Sequence, residues 1–157
     1  MRAVLQRASS GRVTVDARTV GEIDGGLVVL LGIAGGDGED EAHWMASKIA
    51  ALRIFDDGEG KMNLSVGDVG GGVLLISQFT LLASCRGGRR PSFTGAAPPA
   101  AGRRLYELVA ELLREGGLPV ATGRFGERMV VSIENEGPVT IVLDTDEGTP
   151  DAGEEVS

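Results

Sequence analysis

The stretch LVVLLGI at residues 27–33 contains the longest aliphatic run of the chain and predicts a strand that is buried on both faces. Short strands are predicted before it, at residues 4–8, 13–15 and 20–23, with turn residues between them. After it, residues 40–53 carry apolar side chains at helical spacing and predict an amphipathic helix. The chain therefore begins with β-strands and continues as a strand–helix unit.

A second strand–helix unit follows the first. Residues 54–72 are rich in glycine and acids and predict a long connection with one short strand near residues 62–66. The stretch VLLISQFTL at residues 73–81 predicts the next buried strand. The second helix follows Pro98-Pro99, has leucine and valine at helical spacing, and stops at Gly116-Gly117.

Two strands, near residues 128–134 and 139–143, end the domain and flank Gly137-Pro138 as a hairpin. The predicted fold class is mixed α/β in the order β-β-(βα)-(βα)-β-β, built as a mixed sheet or two packed sheets with both helices on one side. One domain, at residues 1–144, is expected from a chain of 157 residues. Residues 145–157 are acidic and lack aromatic side chains, so we expect a disordered tail.

The composition argues against several classes of site. One cysteine, Cys85, and one histidine, His43, cannot form an internal disulfide or a Cys/His zinc cage. His43 has no nucleophile near it in sequence, which argues against a Ser/His/Asp or Cys/His mechanism. The glycine cluster at residues 35–38 lacks the lysine of a P-loop and the spacing of a dinucleotide-binding motif. We therefore expect no metal and no cofactor.

Charge and hydropathy limit the partners. No apolar run approaches the roughly 18 residues of a membrane span, and the N-terminus lacks a signal-peptide core, so we expect a cytoplasmic protein without a membrane partner. The net charge is −8, but six acids and no basic residue lie between Asp144 and Ser157. Arg86, Arg89 and Arg90 cluster after the strand at 73–81. Both a phosphate-facing patch and an ordinary solvated surface fit this distribution.

Two polar motifs follow predicted buried strands: SQFT at residues 77–80 and NEGPVT at residues 135–140. Rigid strands present both motifs, so both can position a ligand. Backbone N–H groups left free near the end of the first strand can form an oxyanion hole. Serine and threonine also suit an edge strand, and Gly137-Pro138 also suits a plain turn, so the residues alone leave both interpretations open.

Six ordered blocks of sequence favour the functional interpretation. They are MRAVLQRAS at 1–9, KMNLSV at 61–66, SQFTL at 77–81, RPSF at 90–93, GRFG at 123–126 and NEGPVT at 135–140. With these blocks the chain resembles the D-aminoacyl-tRNA deacylase family over residues 1–144. It departs from the family pattern at Glu136, where aspartate is usual, and at Glu127, where a small residue is usual.

The resemblance implies the fold of that family, with β-rich sheets and two helices, and a homodimer with active sites at the subunit interface. It implies hydrolysis of the ester that joins a D-amino acid to the 3′ end of tRNA, a proofreading reaction, and rejection of L-aminoacyl-tRNA. Glycyl-tRNA mischarged on tRNA-Ala is a further implied substrate, because glycine is achiral. DNA is not an expected partner.

The resemblance also implies roles for residues of both motifs. Gly137 and Pro138 would be a cis dipeptide that enters the pocket of the other subunit and reads chirality, braced by Arg7. Thr140, in the same motif, would contribute to substrate binding. The catalytic pocket would be lined by Ser77, Gln78, Phe79 and Thr80, with the main-chain N–H groups near Phe79 and Thr80 facing the scissile carbonyl. Phe125 and Met129 match positions near the terminal adenosine.

An aminoacyl ester is already activated, so preorganised donors, a water and the ribose 2′-OH can hydrolyse it without a general base. The alternative mechanism makes Thr80 a covalent nucleophile, although no side chain is an evident acceptor for its proton. Two other functions remain open: a non-enzymatic tRNA-binding module and an editing domain for L-aminoacyl-tRNA.

Overall fold

The computed structural model describes residues 1–147. In chain order its elements are β1 (Arg2–Val15), β2 (Arg18–Ile23), β3 (Gly26–Gly32), α1 (Glu39–Ala51), β4 (Phe55–Asp56), β5 (Met62–Leu64), β6 (Gly72–Ser77), a 3-10 turn (Phe79–Leu82), α2 (Pro99–Glu115), β7 (Val120–Thr122) and β8 (Val130–Asp144).

Six of these strands form one mixed sheet in the order β2-β1-β3-β6-β7, with β8 paired to β1. β3 and β6 are parallel, whereas β1 is antiparallel to β2, β3 and β8. β4 and β5 form a separate two-stranded sheet. The predicted mixed α/β class is confirmed, and the main sheet is one mixed sheet.

β3 lies inside the sheet and is buried over almost its whole length, as its apolar sequence predicts. Its first residue, Gly26, faces Gly72 of β6 so closely that a Cβ on Gly26 would overlap the Gly72 carbonyl oxygen. Gly26 also has a φ of +136°, which glycine adopts far more readily than other residues.

Both helices cover one face of this sheet, as predicted. Leu5, Val29 and Leu75 from the sheet belong to the same core as Met45 of α1 and Leu105 of α2. A second, smaller core on the opposite face contains Val13, Val28, Leu74 and Ile76. The sheet curls around this second core, since Gly21 of β2 lies against the Thr122 backbone of β7.

Three predicted elements were wrong in detail. The separate strands at 4–8 and 13–15 are one strand, β1, because Ser10 and Gly11 pair with β8 rather than forming a turn. The strand predicted at 73–81 ends at Ser77, after which the chain turns. The hairpin at Gly137-Pro138 is absent from residues 1–147, because both halves of β8 pair with β1 and the motif is a bulge in one strand.

The predicted boundary at residue 144 also lies inside ordered structure. The Thr145 N–H donates to the Met1 carbonyl oxygen at 2.9 Å. The rest of the predicted tail, from residue 148, lies outside the described residues. Between residues 1 and 147, neither helix has the length and apolar character needed to cross a membrane.

Candidate functional site

A cleft of about 560 Å³ opens where β6 ends. Four segments line it: Ser77 to Phe79, the stretch from Phe93 to Ala97, the first turn of α2, and the loop between Phe125 and Val131. The parallel strands β3 and β6 both end here, and ligands of α/β sheets commonly bind at the carboxyl ends of parallel strands. The position of the cleft therefore follows from the topology.

The turn after β6 leaves backbone donors free at this edge. The Gln78 N–H donates to the Leu31 carbonyl oxygen at 2.8 Å and completes the ladder with β3. The next two N–H groups, of Phe79 and Thr80, have no protein acceptor among residues 1–147, because β3 ends at Gly32. The sequence predicted free N–H groups here, but at the end of a longer strand.

Two phenylalanines stand at the mouth of the cleft. Phe79 and Phe93 meet edge to face, with ring centroids 5.1 Å apart and an interplanar angle of 71°. Both rings remain accessible, since Phe79 is 56% and Phe93 is 39% exposed. Exposed aromatic faces of this kind provide surfaces on which a planar ligand group can stack.

Phe125 forms the opposite wall and is held from two sides. Its ring centroid lies 5.9 Å from that of Tyr106 and 5.6 Å from the Arg103 guanidinium carbon. Tyr106 is itself fixed, because its hydroxyl donates to the Leu75 carbonyl oxygen at 2.7 Å. Burial raises the pKa of Tyr106 to about 12, so the hydroxyl keeps the proton it donates.

The loop that carries Phe125 is closed by Met129, whose sulfur accepts the Arg124 N–H at 3.4 Å. Glu127 brings a carboxylate to the rim of the cleft and is ion-paired with Arg124 at 3.8 Å. Sequence reasoning did not include Glu127 among the site residues. Its signals in the sequence were its departure from the family pattern and its position between Arg124 and Arg128.

Thr80 is the one residue of the SQFT motif that does not line the cleft. Its hydroxyl oxygen accepts a hydrogen bond from the Gln78 side-chain amide. Within the described part of the chain, no histidine or carboxylate bonds to this hydroxyl. The arrangement gives the Thr80 hydroxyl no partner that could take its proton.

The second motif forms a protruding bulge, the Gly-Pro corner, at residues 135–140. Gly137 and Pro138 are exposed, and the peptide bond between them is cis, as the resemblance implied. Arg7 reaches this corner from β1, where its Nε donates to the Glu136 carbonyl oxygen at 3.2 Å. Arg7 is 8% exposed and is the only buried charged residue within residues 1–147.

Arg7 ties the corner to a second part of the chain. Its Nη1 donates to the Ile54 carbonyl oxygen at 3.0 Å and lies 3.4 Å from an Asp56 carboxylate oxygen. One guanidinium group thus connects β8 to the segment that leads into the β4–β5 hairpin. The fork of donors on arginine suits this bridging role better than the single ammonium of lysine.

Side-chain amides complete the corner. The Asn135 Oδ1 accepts the Val139 N–H at 3.1 Å, and the Asn135 Nδ2 donates to the Thr140 hydroxyl at 3.0 Å. Gln6 donates to the same hydroxyl at 3.3 Å. Thr140 therefore holds the shape of the corner, and within this chain it does not reach the cleft.

The predicted site residues thus fall into two groups. Ser77, Gln78, Phe79, Phe125 and Met129 line the cleft and Thr80 lies in the turn beside it, whereas Arg7, Gly137, Pro138 and Thr140 lie away from it. On β3, the partner of Arg7 is Leu27 and the partner of Ser77 is Leu31. Four residues of strand separate these positions by about 13 Å. The cleft and the corner lie at opposite ends of the same strand.

Within residues 1–147, no group of three or more histidine, cysteine, aspartate or glutamate side chains is placed to hold a metal ion. The polar groups that the cleft offers are the side chains of Ser77, Gln78 and Glu127. These side chains can donate and accept hydrogen bonds.

Known proteins resemble this chain over nearly its whole length. The family model described as D-Tyr-tRNA(Tyr) deacylase matches residues 4–144. A protein of Heliobacterium modesticaldum named D-aminoacyl-tRNA deacylase is 60% identical, covering 92% of this chain and 96% of that protein. One from Thermotoga petrophila with the same name is 55% identical, covering 92% of this chain and 97% of that protein.

Two solved structures are also similar. The first, titled c-Myc DNA Unwinding Element Binding Protein, has a TM-score of 0.87 and 39% identity, and the match covers 92% of this chain and 99% of that one. The second, titled a probable eukaryotic D-amino acid tRNA deacylase, has a TM-score of 0.75 over 90% of this chain and 97% of that one, but at 20% identity it supports the fold alone. The sequence matches together show that this chain belongs to the D-Tyr-tRNA(Tyr) deacylase family of hydrolases.

Proposed function

We propose that this protein hydrolyses the ester of D-aminoacyl-tRNA and releases a free D-amino acid and tRNA. The observation that carries the proposal is the 60% identity, over almost the full length of both chains, to a relative named for this reaction. The cleft at the end of β6 supports it, because exposed aromatic rings line the cleft and the Phe79 and Thr80 N–H groups at its edge have no acceptor among residues 1–147.

In the proposed reaction, water adds to the ester carbonyl carbon and the bond from that carbon to the ribose oxygen breaks. The leaving ribose oxygen takes up a proton, and the amino acid leaves as a carboxylic acid. The N–H groups of Phe79 and Thr80 stabilise the oxyanion that forms between these steps. A preorganised donor of this type contributes about 3 kcal/mol to the transition state.

Backbone donors are favoured over a nucleophilic Thr80 by the hydrogen bond at its hydroxyl. The Gln78 amide donates to this oxygen and has no basic site that could accept a proton at neutral pH. Because the ester is already activated, positioning of the water and the ribose 2′-OH provides the rest of the rate acceleration.

Discrimination against L-aminoacyl-tRNA is assigned to the Gly-Pro corner of a second copy of the chain. The corner is exposed and braced by Arg7, and it lies about 13 Å along β3 from the cleft of its own protomer. In a homodimer the corner of one protomer would enter the cleft of the other. Its main-chain carbonyl oxygens would bind the substrate α-amino group and leave no space for an L side chain, while glycine would still fit.

The test is deacylation of matched D-tyrosyl-tRNA and L-tyrosyl-tRNA by the purified protein, with glycyl-tRNA-Ala as a third substrate. We expect the D-tyrosyl and glycyl esters to be hydrolysed and the L-tyrosyl ester to survive. Hydrolysis of the L ester alone would indicate an editing domain for L-amino acids. Binding of tRNA or duplex DNA without hydrolysis would indicate a nucleic-acid-binding module. A strictly monomeric protein in sedimentation would contradict the composite site.

A further inference from the structure

One segment of this negatively charged chain contains no acidic residue. Residues 69–106 contain five arginines and no aspartate or glutamate, although the chain as a whole has a net charge of −8. The same segment supplies the turn after β6, Phe93 and the first turn of α2 to the cleft. What sets this segment apart is that its five positive charges have no acidic residue among them, so a local positive charge lies beside the cleft.

Three of these arginines lie on one closed loop. Ser84 and Ser92 exchange backbone hydrogen bonds of 2.8 and 2.9 Å, which tie the two ends of the loop together. Every residue from 84 to 95 is exposed, and Arg86, Arg89 and Arg90 lie in the turn between the two serines. We call residues 85–91 the arginine loop.

The arginine loop is attached directly to the wall of the cleft. Phe93 follows the Ser84–Ser92 bridge by one residue, lines the cleft and contacts Phe79. Within residues 1–147, no carboxylate forms an ion pair with Arg86, Arg89 or Arg90. Their guanidinium groups are thus available to an anionic partner at the mouth of the cleft.

We propose that the arginine loop binds phosphate groups of the single-stranded 3′ end of tRNA, just upstream of the nucleotide whose ester lies in the cleft. This inference rests on the proposed function and adds the path of the tRNA to it. Arginine pairs with phosphate through two parallel N–H bonds, and such contacts fix the register of a nucleic acid without reading its sequence. The exposed rings of Phe79 and Phe93 beside the loop favour a single strand, since unpaired bases stack on aromatic side chains.

The experiment compares two double variants that remove equal charge. R89Q/R90Q alters the arginine loop, and R18Q/K48Q alters two exposed residues that do not line the cleft. Each protein is assayed on D-tyrosyl-tRNA and on D-tyrosyl-adenosine, which lacks phosphodiesters, and the Kd for uncharged tRNA is measured from 50 to 200 mM salt. R89K/R90K restores the charge as a third variant.

For R89Q/R90Q we expect KM for D-tyrosyl-tRNA to rise about tenfold with kcat unchanged, and the slope of log Kd against log salt to fall by about 1.4, or 0.7 for each lost contact with a single strand. Activity on D-tyrosyl-adenosine stays at the wild-type level. R89K/R90K recovers most of the affinity, and R18Q/K48Q behaves as wild type.

The inference is overturned if R89Q/R90Q matches R18Q/K48Q in KM and salt slope, which would assign the loop to another partner such as an acidic protein. It is also overturned if the variant loses activity equally on D-tyrosyl-adenosine, because the loop would then only shape the cleft. If the wild-type protein hydrolyses neither substrate, the proposed function itself fails, and that result is distinct from the other two.

Discussion

The two ends of β3 carry two different kinds of surface. At one end the cleft is lined mainly by apolar and aromatic side chains, and the N–H groups of Phe79 and Thr80 at its edge have no acceptor within residues 1–147. At the other end the Gly-Pro corner is exposed, but its neighbouring polar groups are bonded to one another through Arg7, Asn135 and Thr140. The cleft has backbone donors available to a ligand, whereas the corner is held in a fixed shape by its internal hydrogen bonds.

In the proposed reaction, neither end is a complete site by itself. The proposal requires a donor-bearing cleft for the ester and a rigid corner that enters it. Because the two lie about 13 Å apart along one strand, a single chain cannot bring them together without breaking the sheet. The proposed dimer satisfies both requirements with the same contact.

The largest effect is expected from Gly137→Ala. A Cβ at Gly137 would lie 2.9 Å from the Val139 Cγ2 and 3.1 Å from the Arg7 Nη2, at a φ of +125° that disfavours alanine. We expect D-tyrosyl-tRNA deacylation to fall by about 100-fold, as for other displacements of about 1 Å near a reacting centre. Single-turnover rates measure this.

Gly126→Ala is the matched control. Gly126 lines the cleft and also has a positive φ, of +78°, but a Cβ there meets nothing within 4 Å. It should cost about 1 kcal/mol of stability and little activity. Gln78→Ala should also be milder than Gly137→Ala, and equal, mild effects from all three would argue against a role for the corner.

Arg7→Ala tests the brace instead of the corner. The change leaves the Ile54 and Glu136 carbonyl oxygens without their donor and opens a cavity, so the free energy of unfolding should fall by about 3 kcal/mol. Deacylation should fall about tenfold at temperatures where the variant is folded. Urea denaturation and deacylation on the same sample check both. Wild-type activity in a destabilised but folded Arg7→Ala variant would show that Arg7 supports stability and is not needed for deacylation.

Tyr106 tests whether the wall of the cleft depends on a neutral hydroxyl. Its pKa is raised by burial from 10.0 to about 12, so the folded protein holds the proton more tightly than the unfolded chain. Stability from this group is complete below pH 10 and is lost between pH 10 and about 12, by an amount on the order of 2 kcal/mol.

Tyr106→Phe should lower stability by about 1 kcal/mol at pH 8, because it removes the bond to the Leu75 carbonyl oxygen. Between pH 10 and 12 the Tyr106→Phe variant should lose less stability than the wild-type protein, because phenylalanine has no hydroxyl to ionise. Parallel slopes for the two proteins from pH 10 to 12, in thermal denaturation, would contradict this assignment.

The smallest effect is expected at Thr80. Alanine and valine at this position remove the hydroxyl, whereas serine keeps it. All three variants should turn over D-tyrosyl-tRNA at near wild-type rates, because the proposed reaction uses only the backbone N–H of Thr80. Loss of activity in the alanine and valine variants with retention in the serine variant would instead make Thr80 a nucleophile.

The sequence predicts best where local pattern decides the structure. Residues 27–32 of LVVLLGI lie in β3, because a short apolar run rich in aliphatic and β-branched side chains is typical of a strand buried on both faces. The sequence predicts poorly where pairing with a distant strand decides the structure. Ser10 and Gly11 belong to β1 because β8 lies beside both of them and β2 lies beside Gly11, and the two halves of β8 pair with β1 rather than with each other.

The same distinction applies to the candidate site. The SQFT motif and Phe125 come together because β6 and β7 are parallel neighbours, and each of the two segments follows one of these strands at the same edge of the sheet. No local pattern indicates that Arg7 is buried, or that it bonds to Ile54 and Glu136, which lie 47 and 129 positions further along the chain. Its predicted role came from the family resemblance alone.

Subunit complementation tests the composite site most directly. Gly137→Ala disables the corner, and Gly102→Leu fills the cleft, since a Cβ at Gly102 lies 3.6 Å from the Phe125 ring. The two variants are mixed under conditions that exchange subunits, and D-tyrosyl-tRNA hydrolysis is measured. If the corner acts in trans, mixed dimers contain one intact site, and statistical mixing restores about a quarter of the wild-type rate. A mixture no more active than its two parents would contradict a site shared between protomers.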